Sequence, residues 1–127
     1  MATILVAEDL AGQRMILDML LTVDGYDVQL VEDGVQALSY LKEHTPDLAI
    51  LDVKMPNLDG IEVCRRMKKV TRLKGVPVII LTAMRDEATL QAARLAGADE
   101  IIVKPLEGKD FRDQVRRLLE RADVAEA

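Results

Sequence analysis

The sequence is poor in the residues that carry redox, thiolate and ring-stacking chemistry. Its 127 residues include one cysteine, one histidine, two tyrosines, one phenylalanine and no tryptophan. The single Cys64 excludes an internal disulfide bond and a cysteine metal cluster, which fits a reducing compartment. Because aromatic residues make up only 2% of the chain, the core has to be built from aliphatic side chains and methionine.

Long hydrophobic runs and an excess of basic charge are also missing. No apolar run approaches the roughly 20 residues that a helix needs to cross a bilayer. The N-terminus lacks a basic segment followed by an apolar one, so we expect no signal peptide, no membrane contact and a cytoplasmic domain. The formal net charge of −5 argues against direct nucleic acid binding, because phosphate backbones attract basic surfaces.

What the chain does contain is a regular alternation of apolar runs and amphipathic segments. The pattern predicts strands at 3–7, 26–31, 48–51, 78–81 and 100–103, and helices at 10–23, 34–43, 58–70, 85–96 and 107–121. The first helix carries its apolar residues at Met15, Ile16, Met19 and Leu20. Such alternation predicts an α/β domain with a parallel sheet between two helical layers. We place the domain at residues 1–122 and expect residues 123–127 to form a frayed C-terminal tail.

Polar side chains lie at the ends of four predicted strands. Glu8 and Asp9 end the first strand, Asp52 the third, Thr82 the fourth and Lys104 the fifth. Because parallel strands project their carboxyl ends from one edge of the sheet, these residues can converge on one crevice. Three neighbouring carboxylates stay ionised only if a cation joins them, and an all-oxygen site with few protein ligands suits Mg²⁺.

The same set of groups suits phosphoryl transfer onto a carboxylate. Lys104 supplies a compact positive charge and Thr82 a hydroxyl donor for a phosphoryl oxygen. Phosphoryl transfer depends mainly on positioning and electrostatic stabilisation. Asp52 is then the predicted nucleophile, and it would become an aspartyl phosphate.

Six stretches form a joint signature along the chain: Ile-Leu-Val-Ala-Glu-Asp at 4–9, Ala-Ile-Leu-Asp-Val-Lys-Met-Pro at 49–56, Asp-Gly at 59–60, Val-Ile-Ile-Leu-Thr-Ala at 78–83, Gly-Ala-Asp at 97–99 and Val-Lys-Pro at 103–105. In this order and spacing they resemble the receiver domain of two-component response regulators. The resemblance covers essentially the whole chain. It implies a flavodoxin-like, doubly wound fold, with five parallel strands in the order 2-1-3-4-5 and five helices.

The resemblance also implies a metal site and a phosphoacceptor. Asp52 would accept a phosphoryl group from the phosphohistidine of a sensor histidine kinase or of a histidine phosphotransfer protein. Asp9, Asp52 and the backbone carbonyl of Lys54 would bind Mg²⁺ directly, and Glu8 would act through a water. The protein would be a signalling switch in a phosphorelay and not an enzyme, because it promotes only its own phosphorylation and dephosphorylation.

The remaining roles concern the response to phosphorylation. Thr82 would move toward the phosphoryl group and Lys104 would pair with it, with a cis peptide bond between Lys104 and Pro105. The phosphorylated state would alter the binding of a downstream protein effector on the face formed by the fourth helix, the fifth strand and the fifth helix.

The chain departs from the usual receiver pattern at several positions. Ile101 and Leu106 stand where the family often has aromatic residues, which puts the usual aromatic switch in doubt. Leu90 and Gln114 replace basic residues of receivers that dimerise, so we expect a monomer or a weak dimer. Lys54 and Met84 follow Asp52 and Thr82 by two residues, and we hypothesise that they set the rate at which the phosphoryl group is lost.

Two other functional classes compete with the receiver. A phosphohydrolase of the haloacid dehalogenase type needs a second aspartate two residues after the nucleophile, where this chain has Lys54. A phosphorylation-independent scaffold would not need Asp9, Asp52, Thr82 and Lys104 all to be present. The sequence leaves open the signal, the cognate kinase, the output, and whether the domain stands alone or belongs to a longer regulator.

Individual residues also have simpler structural interpretations. Thr82 could be a helix N-cap, and Asp59-Gly60 fits turn and cap chemistry. Cys64 fits burial better than redox chemistry. The basic cluster, defined as Arg65, Arg66, Lys68 and Lys69, fits a solvated helix face.

Overall fold

Five strands alternate with five helices in the computed structural model, which describes the backbone of residues 1–126 and the side chains of residues 1–122. The strands are β1 Thr3–Ala7, β2 Asp27–Val31, β3 Leu48–Asp52, β4 Val78–Thr82 and β5 Glu100–Val103. The helices are α1 Ala11–Thr22, α2 Gly34–Glu43, α3 Gly60–Lys68, α4 Glu87–Leu95 and α5 Gly108–Glu126. The predicted alternation of elements is confirmed. Within the described part of the chain, no helix is both long and apolar enough to cross a membrane.

All five strands are parallel and lie in the order β2-β1-β3-β4-β5. This confirms the predicted doubly wound, flavodoxin-like α/β fold. Every residue of β3 and β4 is buried, whereas the edge strands β2 and β5 keep partly exposed positions. The chain leaves β1 for β2 on one side and returns to β3 on the other. The crevice above β1 and β3 is therefore the switch point where open α/β sheets bind ligands.

The core has two layers, one on each face of the sheet. On one face the helices α2, α3 and α4 bury Leu41, Met67 and Ala93 against the sheet. On the other face α1 and α5 bury Leu17 and Phe111, the one phenylalanine of the chain. Each fully buried aliphatic or aromatic side chain contributes about 1.5–3 kcal/mol. An almost wholly aliphatic core is thus sufficient for this fold, as the composition predicts.

The buried face of α1 does not coincide with the apolar residues named from the sequence. The residues buried from this helix are Leu17 and Leu21, whereas Met15, Ile16 and Met19 are more than half exposed. Two apolar stripes overlap on this helix, and helical periodicity alone does not choose which one faces the sheet. The unpredicted outcome is an exposed apolar surface on α1.

Several element boundaries also shift, because capping groups decide them. Asp59 Oδ1 accepts a hydrogen bond from the Glu62 amide at 2.8 Å, so α3 begins later than predicted. Asp86 Oδ2 accepts from the Thr89 amide at 2.9 Å and is the N-cap of α4. The interpretation of Thr82 as an N-cap is therefore wrong.

The last helix extends beyond its predicted end at Arg121 and reaches Glu126. The structure does not describe the side chains of residues 123–127, where the frayed tail is predicted, or the backbone of residue 127. That part of the domain boundary stays a prediction.

Gly60 is a point at which the fold touches the strand end directly. A Cβ on this residue would overlap the carbonyl oxygen of Asp52 in β3, which is backbone and cannot turn away. We predict that Gly60→Ala lowers the free energy of unfolding by roughly 2–3 kcal/mol, as measured by urea denaturation.

The matched control is Gly12→Ala in α1, where an added Cβ meets no atom within 4 Å. Alanine is a better helix former than glycine, so this variant should be as stable as the parent or more stable by about 1 kcal/mol. Equal stabilities of the two variants would contradict the close contact at Gly60.

Candidate functional site

The register of the strands brings the predicted polar residues together. Ala7 pairs with Leu51 and Asp52 pairs with Leu81, so β1, β3 and β4 end at nearly the same level. The Lys104 amide donates to the Thr82 carbonyl at 2.8 Å and continues the ladder past the end of β5. Residues that are far apart in the chain therefore reach the same edge of the sheet.

Three carboxylates form an acidic cluster at this edge. Glu8, Asp9 and Asp52 each offer one carboxylate oxygen, and these oxygens all lie within 4.8 Å of one another. Glu8 is completely buried and Asp52 is 5% exposed. Burial, together with the hydrogen bond to Asp52 and the negative charge of that residue, raises the pKa of Glu8 to about 7 against the opposing effect of Lys104. Ionisation of Glu8 is therefore unfavourable in this cluster.

Lys104 joins two of these carboxylates. Its Nζ donates to Asp52 Oδ2 at 2.9 Å and to Glu8 Oε2 at 3.2 Å. A third hydrogen bond, at 2.6 Å, goes to Gln13 Oε1 on α1. Burial acts to lower the pKa of Lys104, but the hydrogen bond and charge of Asp52, followed by those of Glu8, raise it overall. The ammonium therefore stays charged inside the cluster.

Thr82 is buried beside the acidic cluster. Its Oγ1 accepts a hydrogen bond from the Met84 amide at 2.9 Å. A hydroxyl that accepts this bond still has its own proton to donate. Thr82 lines a cavity of about 290 Å³ whose other walls are Asp9, Leu10, Gln13, Asp52, Lys54, Ala83, Met84 and Lys104. All the predicted site residues except the fully buried Glu8 therefore border one space.

Comparison with known proteins agrees with this geometry. The model of the response regulator receiver domain family matches residues 4–116. The chain belongs to this family. A receiver domain is a signalling switch of two-component systems, and the predicted membership is confirmed.

Relatives of this receiver domain include longer proteins and single domains. It is 42% identical over 122 residues to a probable transcriptional regulator, ycf27, of Porphyridium aerugineum, matching 96% of this chain and 50% of the relative. The chain thus spans about half the length of that regulator.

Solved structures resemble the receiver domain throughout. The signal receiver domain of a signal transduction histidine kinase from Syntrophus aciditrophicus has a TM-score of 0.90 and 36% identity, covering 94% of this chain and 91% of its own. The response regulator TrrA of Thermotoga maritima, solved in complex with Mg(2+)-BeF, has a TM-score of 0.83 and 32% identity, covering 93% and 99%.

Two functional contacts were missed by sequence reasoning. Gln13 binds Lys104, as described above. Arg14 Nη1 donates to the carbonyl oxygens of Glu8 at 2.9 Å and Asp9 at 3.3 Å, which fixes the loop that carries both carboxylates. Gln13 and Arg14 both lie in the first turn of α1, but the sequence alone does not show which groups their side chains contact.

The simpler interpretations of other residues are largely correct. Cys64 is fully buried, and burial raises the pKa of its thiol to about 11. In the basic cluster, Arg65 and Arg66 both pair with Glu62. Lys68 differs, because its Nζ donates a hydrogen bond to the carbonyl oxygen of Val76 at 2.9 Å. The peptide bond between Lys104 and Pro105 is cis, as predicted.

The raised pKa of Glu8 makes stability depend on pH. As the pH rises, the unfolded chain releases this proton near 4.5, whereas the folded chain keeps it until about 7. Stability therefore falls across this interval, by on the order of 3 kcal/mol when fully developed. We predict that the stability of Glu8→Gln relative to the parent is greater at pH 8 than at pH 5, because glutamine cannot ionise. Thermal unfolding at the two pH values in the presence of EDTA measures this difference.

The matched control for this prediction is Glu43→Gln, at an exposed position at the end of α2. Its stability should equal that of the parent at pH 5 and at pH 8. A stability difference between Glu8→Gln and the parent that is the same at pH 5 and pH 8 would show that burial of Glu8 does not control its protonation.

Proposed function

We propose that Asp52 is the phosphoacceptor of this receiver domain. The observation that carries the proposal is the placement of Asp52, almost buried, with the Lys104 ammonium 2.9 Å from one of its oxygens and two more carboxylates beside it. A carboxylate nucleophile with a fixed cation and a nearby hydroxyl is the set of groups that phosphoryl transfer requires. The phosphodonor is a phosphohistidine of a sensor histidine kinase or of a histidine phosphotransfer protein.

The transfer follows from this arrangement. A carboxylate oxygen of Asp52 forms the new bond to phosphorus while the bond between phosphorus and the donor imidazole breaks, and the electron pair of that bond returns to the imidazole nitrogen. Lys104 exchanges its contact with Asp52 for one with a phosphoryl oxygen. Thr82, at the rim of the same cavity, donates its hydroxyl proton to another phosphoryl oxygen.

The acidic cluster fits Mg²⁺. Glu8, Asp9 and Asp52 offer converging carboxylate oxygens, and a divalent cation would offset the cost of ionising the buried Glu8 beside Asp52. Asp9 and Asp52 would hold the ion directly with the backbone carbonyl of Lys54, and Glu8 would act through a water. When bound, the cation neutralises charge on the phosphoryl oxygens. The TrrA complex with Mg(2+)-BeF supports the assignment.

The protein would act as a switch that promotes only its own phosphorylation and dephosphorylation. A phosphohydrolase would need a catalytic carboxylate where Lys54 stands, and the exposed Lys54 side chain cannot supply one. The scaffold alternative is disfavoured because Asp52, Thr82 and Lys104 are all in place. The longer transcriptional regulator among the relatives favours a downstream effector controlled through the face formed by α4, β5 and α5.

The exposed apolar surface of α1 bears on how the phosphodonor reaches this site. Asp52 is only 5% exposed, and its cavity opens beside the start of α1 at Leu10 and Gln13. Ile16 follows on the same helix and is 54% exposed. A phosphodonor protein that brings its histidine to Asp52 would cover this surface, which accounts for apolar side chains facing water there.

The test of the phosphoacceptor uses beryllofluoride, a tetrahedral mimic of a phosphoryl group. With Mg²⁺ present, the parent should show saturable changes in its amide NMR spectrum on adding beryllofluoride. Asp52→Asn should show none, because it lacks the attacking carboxylate oxygen. Asp27→Asn, at an exposed position at the opposite end of β2, is the matched control and should respond like the parent.

The same experiment separates the competing functions. Absence of any response in the parent would favour the phosphorylation-independent scaffold. Multiple turnovers of small phosphoesters would favour the phosphohydrolase. Either result would overturn the proposed switch.

Lys54 and Met84 give a separate prediction about the lifetime of the phosphorylated state. Both side chains border the cavity at Asp52, where Lys54 can pair with the phosphoryl group and Met84 can shield it from water. We predict that Lys54→Ala and Met84→Ala each shorten the phosphoryl half-life. For Lys54→Ala, which removes an exposed charge pair, the expected decrease is about two- to five-fold. Half-lives are measured by loss of radiolabelled phosphate.

The controls are Lys69→Ala and Met19→Ala, both exposed and outside the residues that line this cavity. They should retain the half-life of the parent. Unchanged half-lives for Lys54→Ala and Met84→Ala would remove both residues from control of dephosphorylation.

A further inference from the structure

Gln13 is the one uncharged side chain that binds the Lys104 ammonium among the described residues. It lies in the first turns of α1, and its Oε1 is 2.6 Å from Lys104 Nζ. Gln13 and Lys104 both line a second, larger and mainly apolar cavity of about 490 Å³, together with Ile16, Leu17 and Leu106 among others. The aliphatic side chains of this second cavity offer Lys104 no alternative hydrogen-bond acceptor.

The contacts of Lys104 saturate its hydrogen-bonding capacity. An ammonium has three protons to donate and accepts none, and the three protons go to Asp52, Glu8 and Gln13. The carboxylate of Glu8 and the amide of Gln13 together fix two of the three N–H directions. The tetrahedral geometry of the nitrogen then directs the third at Asp52.

From this geometry we infer that Gln13 is a positioning residue for phosphoryl transfer, acting by holding the Lys104 ammonium so that one N–H stays directed at Asp52. The inference rests on the proposed role of Asp52 as phosphoacceptor. On transfer, a phosphoryl oxygen replaces the Asp52 oxygen as acceptor, and the contacts with Glu8 and Gln13 stay unchanged. Lys104 therefore needs no reorientation to meet the incoming charge.

The chemistry of the glutamine side chain suits this role. Only its carbonyl end can accept from an ammonium, so Lys104 sets the orientation of the amide. Because the amide is uncharged, it orients Lys104 without neutralising the positive charge that the phosphoryl group needs. A carboxylate at this position would instead add a fourth negative charge to Glu8, Asp9 and Asp52.

The test compares Gln13→Met with the parent, because methionine has a similar length and lacks the strong acceptor. At saturating Mg²⁺, we expect the beryllofluoride affinity and the phosphorylation rate with phosphoramidate to fall about three- to ten-fold, since water replaces the lost acceptor only in part. The Mg²⁺ affinity and the melting temperature should stay at the parent values. Gln91→Met, at an exposed position of α4, should match the parent in every measurement.

Two further measurements separate positioning of Lys104 from a general structural effect. In a Lys104→Ala background, Gln13→Met should cause no additional loss of beryllofluoride affinity. In ¹⁵N-labelled parent protein, the Lys104 ammonium should give a slowly exchanging NMR signal because all three protons are bonded, and Gln13→Met should broaden or remove it. This spectrum remains decisive even if Lys104→Ala binds beryllofluoride too weakly to measure.

The outcomes distinguish this inference from the proposed function. A parent that binds beryllofluoride, together with a Gln13→Met variant that equals it in affinity and in ammonium spectrum, would overturn the role of Gln13 alone. An additional loss in the Lys104→Ala background would also overturn it. A parent that never responds to beryllofluoride would instead overturn the role of Asp52.

Discussion

The ion cluster of Lys104 with Asp52 and Glu8 is the interaction on which the site depends. Two carboxylates lie almost without solvent at the edge of the core, where an unpaired charge is costly. One ammonium bonded to both offsets part of that cost, but Asp9 adds a third carboxylate. Carboxyl groups therefore outnumber the ammonium in the cluster. That imbalance makes a divalent cation favourable at this edge of the sheet.

The fold enforces this cluster through backbone geometry. Parallel pairing ends β1, β3 and β4 at one level, and the amide of Lys104 continues the ladder from β5. The strands β3 and β4, which end in Asp52 and Thr82, are buried on both faces, so close packing restrains their ends against shifting to relieve repulsion between carboxylates. Gly60 adds a second restraint, because α3 begins against the carbonyl of Asp52. Rigid strand ends are thus what keeps like charges together.

Most of the fold and the members of the site could be predicted, because both depend on local pattern. Apolar runs specify buried strands, and the polar residue after each run marks the edge at which Asp52, Thr82 and Lys104 meet. The exposed stripe of α1 could not be predicted, since Met15 and Ile16 have the periodicity of a buried face. Side-chain contacts such as that of Gln13 depend on how α1 sits over the sheet, which no local pattern encodes.

Any effect of a change at Asp52 has to reach the rest of the domain without the help of an aromatic residue at position 101. Ile101 is partly buried and packs against the core, and as an aliphatic residue it has no ring to exchange between exposed and buried positions. Thr82 offers a shorter route, because its Oγ1 is the acceptor for the Met84 amide. If Thr82 moves toward a phosphoryl oxygen, the Met84 amide must follow it or lose its hydrogen-bond partner, which is costly for a partly buried amide. Met84 lies in the loop that leads to Asp86, the N-cap of α4. Thr82 is therefore connected to the start of α4 through the loop backbone, without an aromatic side chain at position 101.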